Sequence, residues 1–171
     1  GPLRIARWMV DVLRAGRRPN LWTYASSAVR LCQAAADAGL DLQGAQFSVG
    51  GEPFTEARRA TIRGVGAEAY PQYGISECGE VGFGCLAPRE IDDIHVLHDL
   101  HALIQPAADG PPRGLPPDAL LISSLRPTAP FVLLNVSMGD RGVLGERGCG
   151  CPMAQLGWTT HVYSIRSDEK L

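Results

Sequence analysis

Apolar positions recur at helical spacing over the first stretch of the chain and then shift to strand spacing. Across residues 3–15, Ile5, Trp8, Met9, Val12 and Leu13 fall on one face with arginines between them, which predicts an amphipathic helix ending near Gly16. Pro19-Asn20 interrupts it, and residues 21–24 read as a brief strand. Ser26 or Ser27 is placed to cap a second helix through Ala38, with Val29, Leu31, Cys32, Ala35 and Ala36 on its apolar side and Gly39 at the left-handed C-cap position. Cys32 then reads as a core residue behaving as a small hydrophobe.

A strand at 45–49 runs directly into Gly50-Gly51-Glu52-Pro53, after which Thr55 caps a helix to about Arg63. A run at 67–70 then leads into Tyr73-Gly74-Ile75-Ser76-Glu77, read as a polar turn, and a further strand at 81–85. Strand, glycine turn, helix, strand is a βαβ arrangement, whose ligand crevice lies at the carboxyl ends of the strands. Both polar turns fall at such ends. Beyond Cys85 the pattern shortens to strands at 94–97, 101–104, 119–123, 131–135 and 161–165, and the prolines within 105–118 mark an exposed loop. The expected fold class is α/β: βα units with a mixed sheet over residues 1–80, then a small β-rich subdomain over 81–171.

Composition adds mainly exclusions. With 171 residues, a net charge of -2 and a pI near 6.1, the chain carries no basic stripe and makes no electrostatic case for nucleic acid. No apolar run reaches about 18 residues, so no membrane span is expected. The arginines at 4, 7, 14, 17 and 18 do not suit a signal peptide. Five cysteines without a secretory signal predict reduced thiols or metal ligands and a cytoplasmic protein.

Two groups of residues carry candidate chemistry. The aromatic, hydroxyl and carboxylate of the 73–77 stretch can stack on a nucleobase, touch a phosphate and help hold a divalent cation; the same residues also suit a plain surface turn. Cys149-Gly150-Cys151-Pro152 lies in a glycine-rich turn, with Cys85 and His95 on or beside earlier strands. Three thiolates and an imidazole satisfy a closed, tetrahedral zinc site. A Cys149–Cys151 disulfide is the alternative, although so tight a ring is strained. Cys78 reads as a partly buried thiol, His98 and His101 as surface or loop histidines, and His161 as the start of the last strand, able to line the pocket.

Four motifs in order carry a family resemblance. Ser48-Val49-Gly50-Gly51-Glu52-Pro53-Phe54-Thr55 is similar to the glycine-glycine-glutamate-proline-leucine-threonine turn of the phenylacetate–coenzyme A ligase branch of the adenylate-forming enzymes. Tyr73-Gly74-Ile75-Ser76-Glu77 resembles their tyrosine-glycine-x-threonine-glutamate motif, Met138-Gly139-Asp140 their threonine-glycine-aspartate, and Ile165-Arg166-Ser167-Asp168 their arginine-serine-aspartate hinge. The resemblance runs from about Gly39 to the last residue.

The resemblance implies activation of a carboxylic acid with ATP and Mg²⁺ to an acyl-adenylate, then transfer to a thiol, usually coenzyme A. It implies that Tyr73 stacks on adenine, and that Gly50, Gly51, Glu52 and Pro53, with Gly74, line the nucleotide pocket. Ser76 would bond the α-phosphate, Glu77 support Mg²⁺, Asp140 take the ribose hydroxyls and Arg166 sit by the nucleotide, with Asp168 at the hinge. It also supports structural zinc on Cys85, His95, Cys149 and Cys151. The implied partners are a nucleotide and an apolar carboxylic acid, the latter walled by Phe47, Val49, Tyr70, Gly74 and residues 81–83, with an oligomer compatible. The chain departs from the family in having no serine/threonine/glycine-rich phosphate loop and in stopping where the family's C-terminal domain would begin, so that domain's catalytic lysine has no counterpart to assign here. The expectation is therefore a middle portion with no turnover alone. The rival is a zinc-stabilised binding or scaffold module that kept the fold without catalysis.

Overall fold

In the computed structural model, residues 1–106 and 114–167 are described. The chain divides into two compact units, Gly1–Pro71 and Gln72–Leu171.

The first unit alternates helices and parallel strands: α1 (Pro2–Arg14), β1 (Asn20–Tyr24), α2 (Ala25–Asp37), β2 (Gln46–Gly50), α3 (Glu56–Arg63) and the start of β3 (Glu68–Ile75). Strand β2 pairs in parallel with β1 on one side and with β3 on the other. This is two successive βαβ steps, as the pattern predicts. The buried face of α2 consists of Ala25, Ala28, Leu31, Cys32 and Ala35, whose spacing of three and four residues keeps them on one side. Four of the five are small, so the helix can lie close against its neighbours. On β2 the alternation of the pleat buries Phe47 and Val49. Thr55 caps α3 by accepting the Arg58 backbone N–H at 3.4 Å. Neither Ser26 nor Ser27 caps α2, whose N-cap is Tyr24; Ser26 lies inside the first turn and serves a different partner.

The second unit is antiparallel. It holds the end of β3, then β4 (Gly79–Gly84), β5 (Ile94–Val96), β6 (His101–Ile104), β7 (Ala119–Ser124), β8 (Val136–Glu146), the short α4 (Pro152–Gln155) and β9 (Thr160–Ser167). β3 pairs with β4, β4 with β5, β5 with β9, β9 with β8, β8 with β7 and β7 with β6. Parallel pairing before residue 71 and antiparallel pairing after it make the strand architecture mixed, and the fold class is α/β with a β-rich second part. The core here joins Tyr73, Val81, Ile94, Val96, Leu103, Leu120, Ile122 and Val162.

Several expectations are corrected. Tyr73, Gly74 and Ile75 belong to strand β3, and only residues 76–78 turn, because the ladder to β4 continues past Tyr73↔Gly82. Residues 131–135 form no strand; Phe131, Val132 and Leu134 are exposed and the strand begins at Val136, because the Ser123 and Ser124 hydroxyls bond the backbone of this stretch in place of a ladder. His101 is 5% exposed and its Nε2–H donates to the Glu80 carbonyl at 3.1 Å, rather than lying at the surface. Of the proline-rich stretch at 105–118, residues 107–113 lie outside the described residues, as does Asp168.

Candidate functional site

One glycine fixes where the Cys/His cluster forms. A Cβ on Gly82 would meet the His95 carbonyl oxygen at 2.4 Å and Ile94 Cγ2 at 2.5 Å, so only glycine lets β4 lie this close to β5. Strand β5 in turn pairs with β9 so that His95 stands opposite His161. Their rings lie 4.1 Å apart between centroids, and both are buried. The loop leaving β4 closes on itself through the Cys85 N–H to the Asp93 carbonyl at 2.8 Å, which brings Cys85 to the same place. The segment after β8 supplies Cys149, with Sγ 3.6 Å from His95 Nε2, and Cys151, with Sγ 3.1 Å from that same nitrogen.

Cys85, His95, Cys149 and His161 each offer a donor atom, all within 4.8 Å of one another; this cluster can hold a metal ion. All five cysteines are free thiols, so Cys149 and Cys151 form no disulfide. Burial pushes the Cys85 thiol up to about 12, against a smaller pull from the Ala87 N–H. Burial also opposes ionisation of Cys151, but the Ala154 and Met153 N–H groups, Cys149 and His95 together bring that thiol below its ordinary value. Cys78 is half-buried, and burial followed by the nearby Glu77 and Glu80 raises its thiol. Cys32 is fully buried in the first unit.

Around the cluster is a ring of supporting bonds. The His95 Nδ1 lies 2.7 Å from the Trp158 carbonyl, and His161 Nδ1 lies 2.6 Å from Asp93 Oδ1. Asp93 is 1% exposed, accepts the Arg89 N–H at 2.8 Å and pairs with Arg147. His161 Nε2 is buried and has no hydrogen-bond partner among the described residues. Asp93 escaped the sequence reading, and His161, read as the start of the last strand and able to line the pocket, packs against His95. Neither has a spacing signature, since both follow from the pairing of β5 with β9.

Two of the motif residues meet in the second unit although 67 positions separate them: Tyr73 Oη donates to Asp140 Oδ2 at 2.7 Å. The Tyr73 ring is 8% exposed, and burial, followed by the Asp140 carboxylate, holds its phenol protonated well above the ordinary value. Ser76 is exposed and Glu77 half-buried in the turn between β3 and β4. Gly74 faces Glu80, whose carboxyl burial holds above the usual range; a Cβ on Gly74 would come within 3.2 Å of it. Arg166 is exposed and pairs with Asp118, which also binds Arg141 at 2.7 Å.

In the first unit, Gly50 ends β2 and Gly51 adopts φ +70°, where a Cβ would meet the Tyr24 ring at 2.6 Å. A side chain at Gly51 is thus strained by the backbone conformation and would have to displace the exposed Tyr24 ring. The Glu52 carboxylate accepts the Ser26 N–H and hydroxyl, each at 2.8 Å, and pairs with Arg58 at 3.3 Å. Partial burial works against its ionisation, but those bonds prevail and hold the carboxyl below its ordinary value. Pro53 is exposed and its carbonyl accepts from the Arg58 guanidinium. Phe47 and Val49, expected as acyl-pocket walls, are buried in the core, and Tyr70 and Val81–Phe83 lie on β3 and β4.

Among the described residues, no helix is long and apolar enough to cross a membrane. No family model matches the chain, and no curated protein is a significant match. Solved structures are similar in fold. 2-Hydroxyisobutyryl-CoA ligase, in an open conformation with 2-HIB-AMP and CoA, matches with a TM-score of 0.72 at 16% identity, over 97% of this chain and 39% of its own. Apo MatB from Rhodopseudomonas palustris matches with a TM-score of 0.60 at 16% identity, over 99% and 33%. The anthranilate CoA ligase AuaEII with anthranoyl-AMP matches with a TM-score of 0.56 at 13% identity, over 85% and 31%. The chain thus spans between 31% and 39% of these proteins' lengths, and its fold is that of a portion of them.

Proposed function

We propose that the chain is the nucleotide- and acyl-binding portion of an enzyme that joins a carboxylic acid to the thiol of coenzyme A through an acyl-adenylate. The observation that carries this reading is the Tyr73–Asp140 hydrogen bond at 2.7 Å. It ties together two motifs that resemble nucleotide-binding turns, in a fold shared with CoA ligases solved with adenylates bound. In the first step a carboxylate oxygen attacks the α-phosphorus of ATP and pyrophosphate leaves; in the second the thiol displaces AMP. The first step needs fixed donors and neutralised phosphate charge more than a protein nucleophile.

The residue types suit these tasks. Exposed Ser76 presents a hydroxyl for the α-phosphate, and Glu77 in the same turn a carboxylate for Mg²⁺. Asp140 has one carboxylate oxygen on Tyr73 and a second for a ribose hydroxyl. In the second unit Tyr73 and Gly74 would border the base and Arg166 would exchange Asp118 for nucleotide phosphate; in the first, Gly50, Gly51, Glu52 and Pro53 form a turn that resembles the family's nucleotide-binding turn. The motifs favour the phenylacetate-ligase branch and an apolar acid, and the free thiols suit the cytoplasm. We assign the Cys/His cluster to zinc in a structural role. Buried thiols and imidazoles are the donors zinc prefers, and the unpartnered His161 Nε2 is a lone pair that a cation would satisfy. A closed site leaves no position for a reactive water, so zinc would hold the cysteine turn to β4, β5 and β9.

Calorimetric titration with a non-hydrolysable acyl-adenylate mimic tests the reading. Binding is expected, weakened at least about tenfold by Asp140→Ala, consistent with the loss of a charged hydrogen bond; the chain alone should show no turnover. Equal affinity in the variant would overturn the assignment. A second reading, a zinc-stabilised scaffold without catalysis, is favoured by the closed state of Tyr73, whose ring is core and whose hydroxyl is satisfied by Asp140. Full zinc occupancy with no adenylate binding would support it.

A further inference from the structure

We infer that His161, oriented by Asp93, is a zinc ligand, so that the ion is held by two thiolates and two imidazoles, Cys85, Cys149, His95 and His161, with Cys151 outside the coordination sphere. The inference rests on the zinc reading above and specifies its ligand set.

The hydrogen bonds of the two histidines decide which ring nitrogens carry lone pairs. The Nδ1 of His95 faces a carbonyl oxygen, that of Trp158, which can only accept, so Nδ1 carries the proton and Nε2 the lone pair. The Nδ1 of His161 faces the Asp93 carboxylate, which fixes the same tautomer. Two imidazole lone pairs therefore converge in a buried place, with ring centroids 4.1 Å apart. The one on His161 has no donor to receive, and a buried acceptor left so is costly. A cation between the rings satisfies both.

Distances agree. Zn–S near 2.3 Å and Zn–N near 2.05 Å at a tetrahedral angle place ligand sulfur and nitrogen about 3.5 Å apart. Cys149 Sγ and His95 Nε2 are 3.6 Å apart, close to that value, whereas Cys151 Sγ, at 3.1 Å from that nitrogen, lies nearer than two ligands of one zinc ion stand. Cys151 is also absent from the set of donors that lie within 4.8 Å of one another. Charge points the same way. Two thiolates cancel the charge of Zn²⁺, and Asp93 with Arg147 cancel each other beside them. A third thiolate would leave a net negative charge in a buried site. The chain Arg147–Asp93–His161 has the form of a carboxylate–histidine–metal arrangement, in which the carboxylate fixes the ring and strengthens its donor nitrogen.

X-ray absorption at the zinc edge of the unmodified chain reads the ligand set directly. Two sulfur and two nitrogen neighbours are expected; three sulfurs and one nitrogen would overturn the inference while leaving the zinc reading intact, and a chain that binds no zinc overturns both. In competition with a chromogenic chelator, Cys151→Ser should keep its zinc affinity, His161→Ala should lose at least about tenfold, and Asp93→Asn between about 10- and 100-fold. Cobalt substitution gives a second view, because the thiolate-to-cobalt absorption should be unchanged by Cys151→Ser. A drop by a third in that variant, with zinc affinity unaltered in His161→Ala, would refute the assignment.

Discussion

The two units hold themselves together in different ways. Every buried polar or charged side chain found among the described residues, Asp93, His95, His101, Ser123 and His161, belongs to the second unit. The buried residues of the first are apolar: Ala6, Met9, Ala28, Leu31, Cys32, Phe47, Val49 and Ile62 among them. The first unit is thus stabilised mainly by helices burying an apolar face on parallel strands, a term proportional to area and largely indifferent to metal or pH. The second buries ionisable groups whose desolvation must be offset by fixed partners. The difference teaches where each unit is vulnerable: the first to lost volume, the second to a lost partner.

Chelation gives the largest expected effect and the sharpest test of this contrast. On the zinc assignment proposed above, stripping the ion should destabilise the second unit by several kcal/mol, because it leaves the lone pairs of His95 and His161 without a cation. Hydrogen exchange should quicken at β5 and β9, while the amides of α2 and β2 keep their protection. Equal loss in both units, or in neither, would break the comparison.

Phe47→Ala should act in the opposite sense. Phe47 is fully buried on β2, and its truncation is expected to cost about 3–5 kcal/mol. Exchange should quicken in β1, β2 and α2, and zinc affinity should stay the same. A weakened zinc affinity would show that the units do not divide stability as described.

The smallest effect concerns the Glu52 carboxylate of the first unit, held by Ser26 and Arg58. Its partners depress the Glu52 carboxyl in the folded chain. The stabilisation is therefore fully present above the ordinary carboxylate range and is lost as pH falls through the lower folded value. Ser26→Ala removes the hydroxyl bond at 2.8 Å and should flatten the acid limb of the stability profile of the first unit by lowering its neutral-pH plateau, with little change at low pH. An acid limb as steep as before would remove Ser26 as its cause.

Much of the fold was legible because helices and strands announce themselves by local period. The face of α2, the cap at Thr55 and the left-handed Gly39 follow from neighbours within four residues. The failures share a cause. The stretch at 131–135 has strand composition, yet it meets β7 through Ser123 and Ser124 instead of through a strand ladder, and Phe131 and Val132 face solvent. His101 looked like a loop histidine because nothing local records that β6 buries it over Glu80.

The sequence by itself determined the donors and their order: a Gly-Gly-Glu turn after a strand, an aromatic–hydroxyl–carboxylate stretch, a Gly-Asp pair, and thiols with an imidazole. Side-chain chemistry is a property of the residue and needs no fold. Only the tertiary structure decided which of them meet. The register His95↔His161, the approach of β4 to β5 allowed by Gly82, and the reach of Tyr73 to Asp140 are set by pairing between strands far apart in the chain. Such pairing depends on the sum of all side chains on both strands, and no short spacing encodes it.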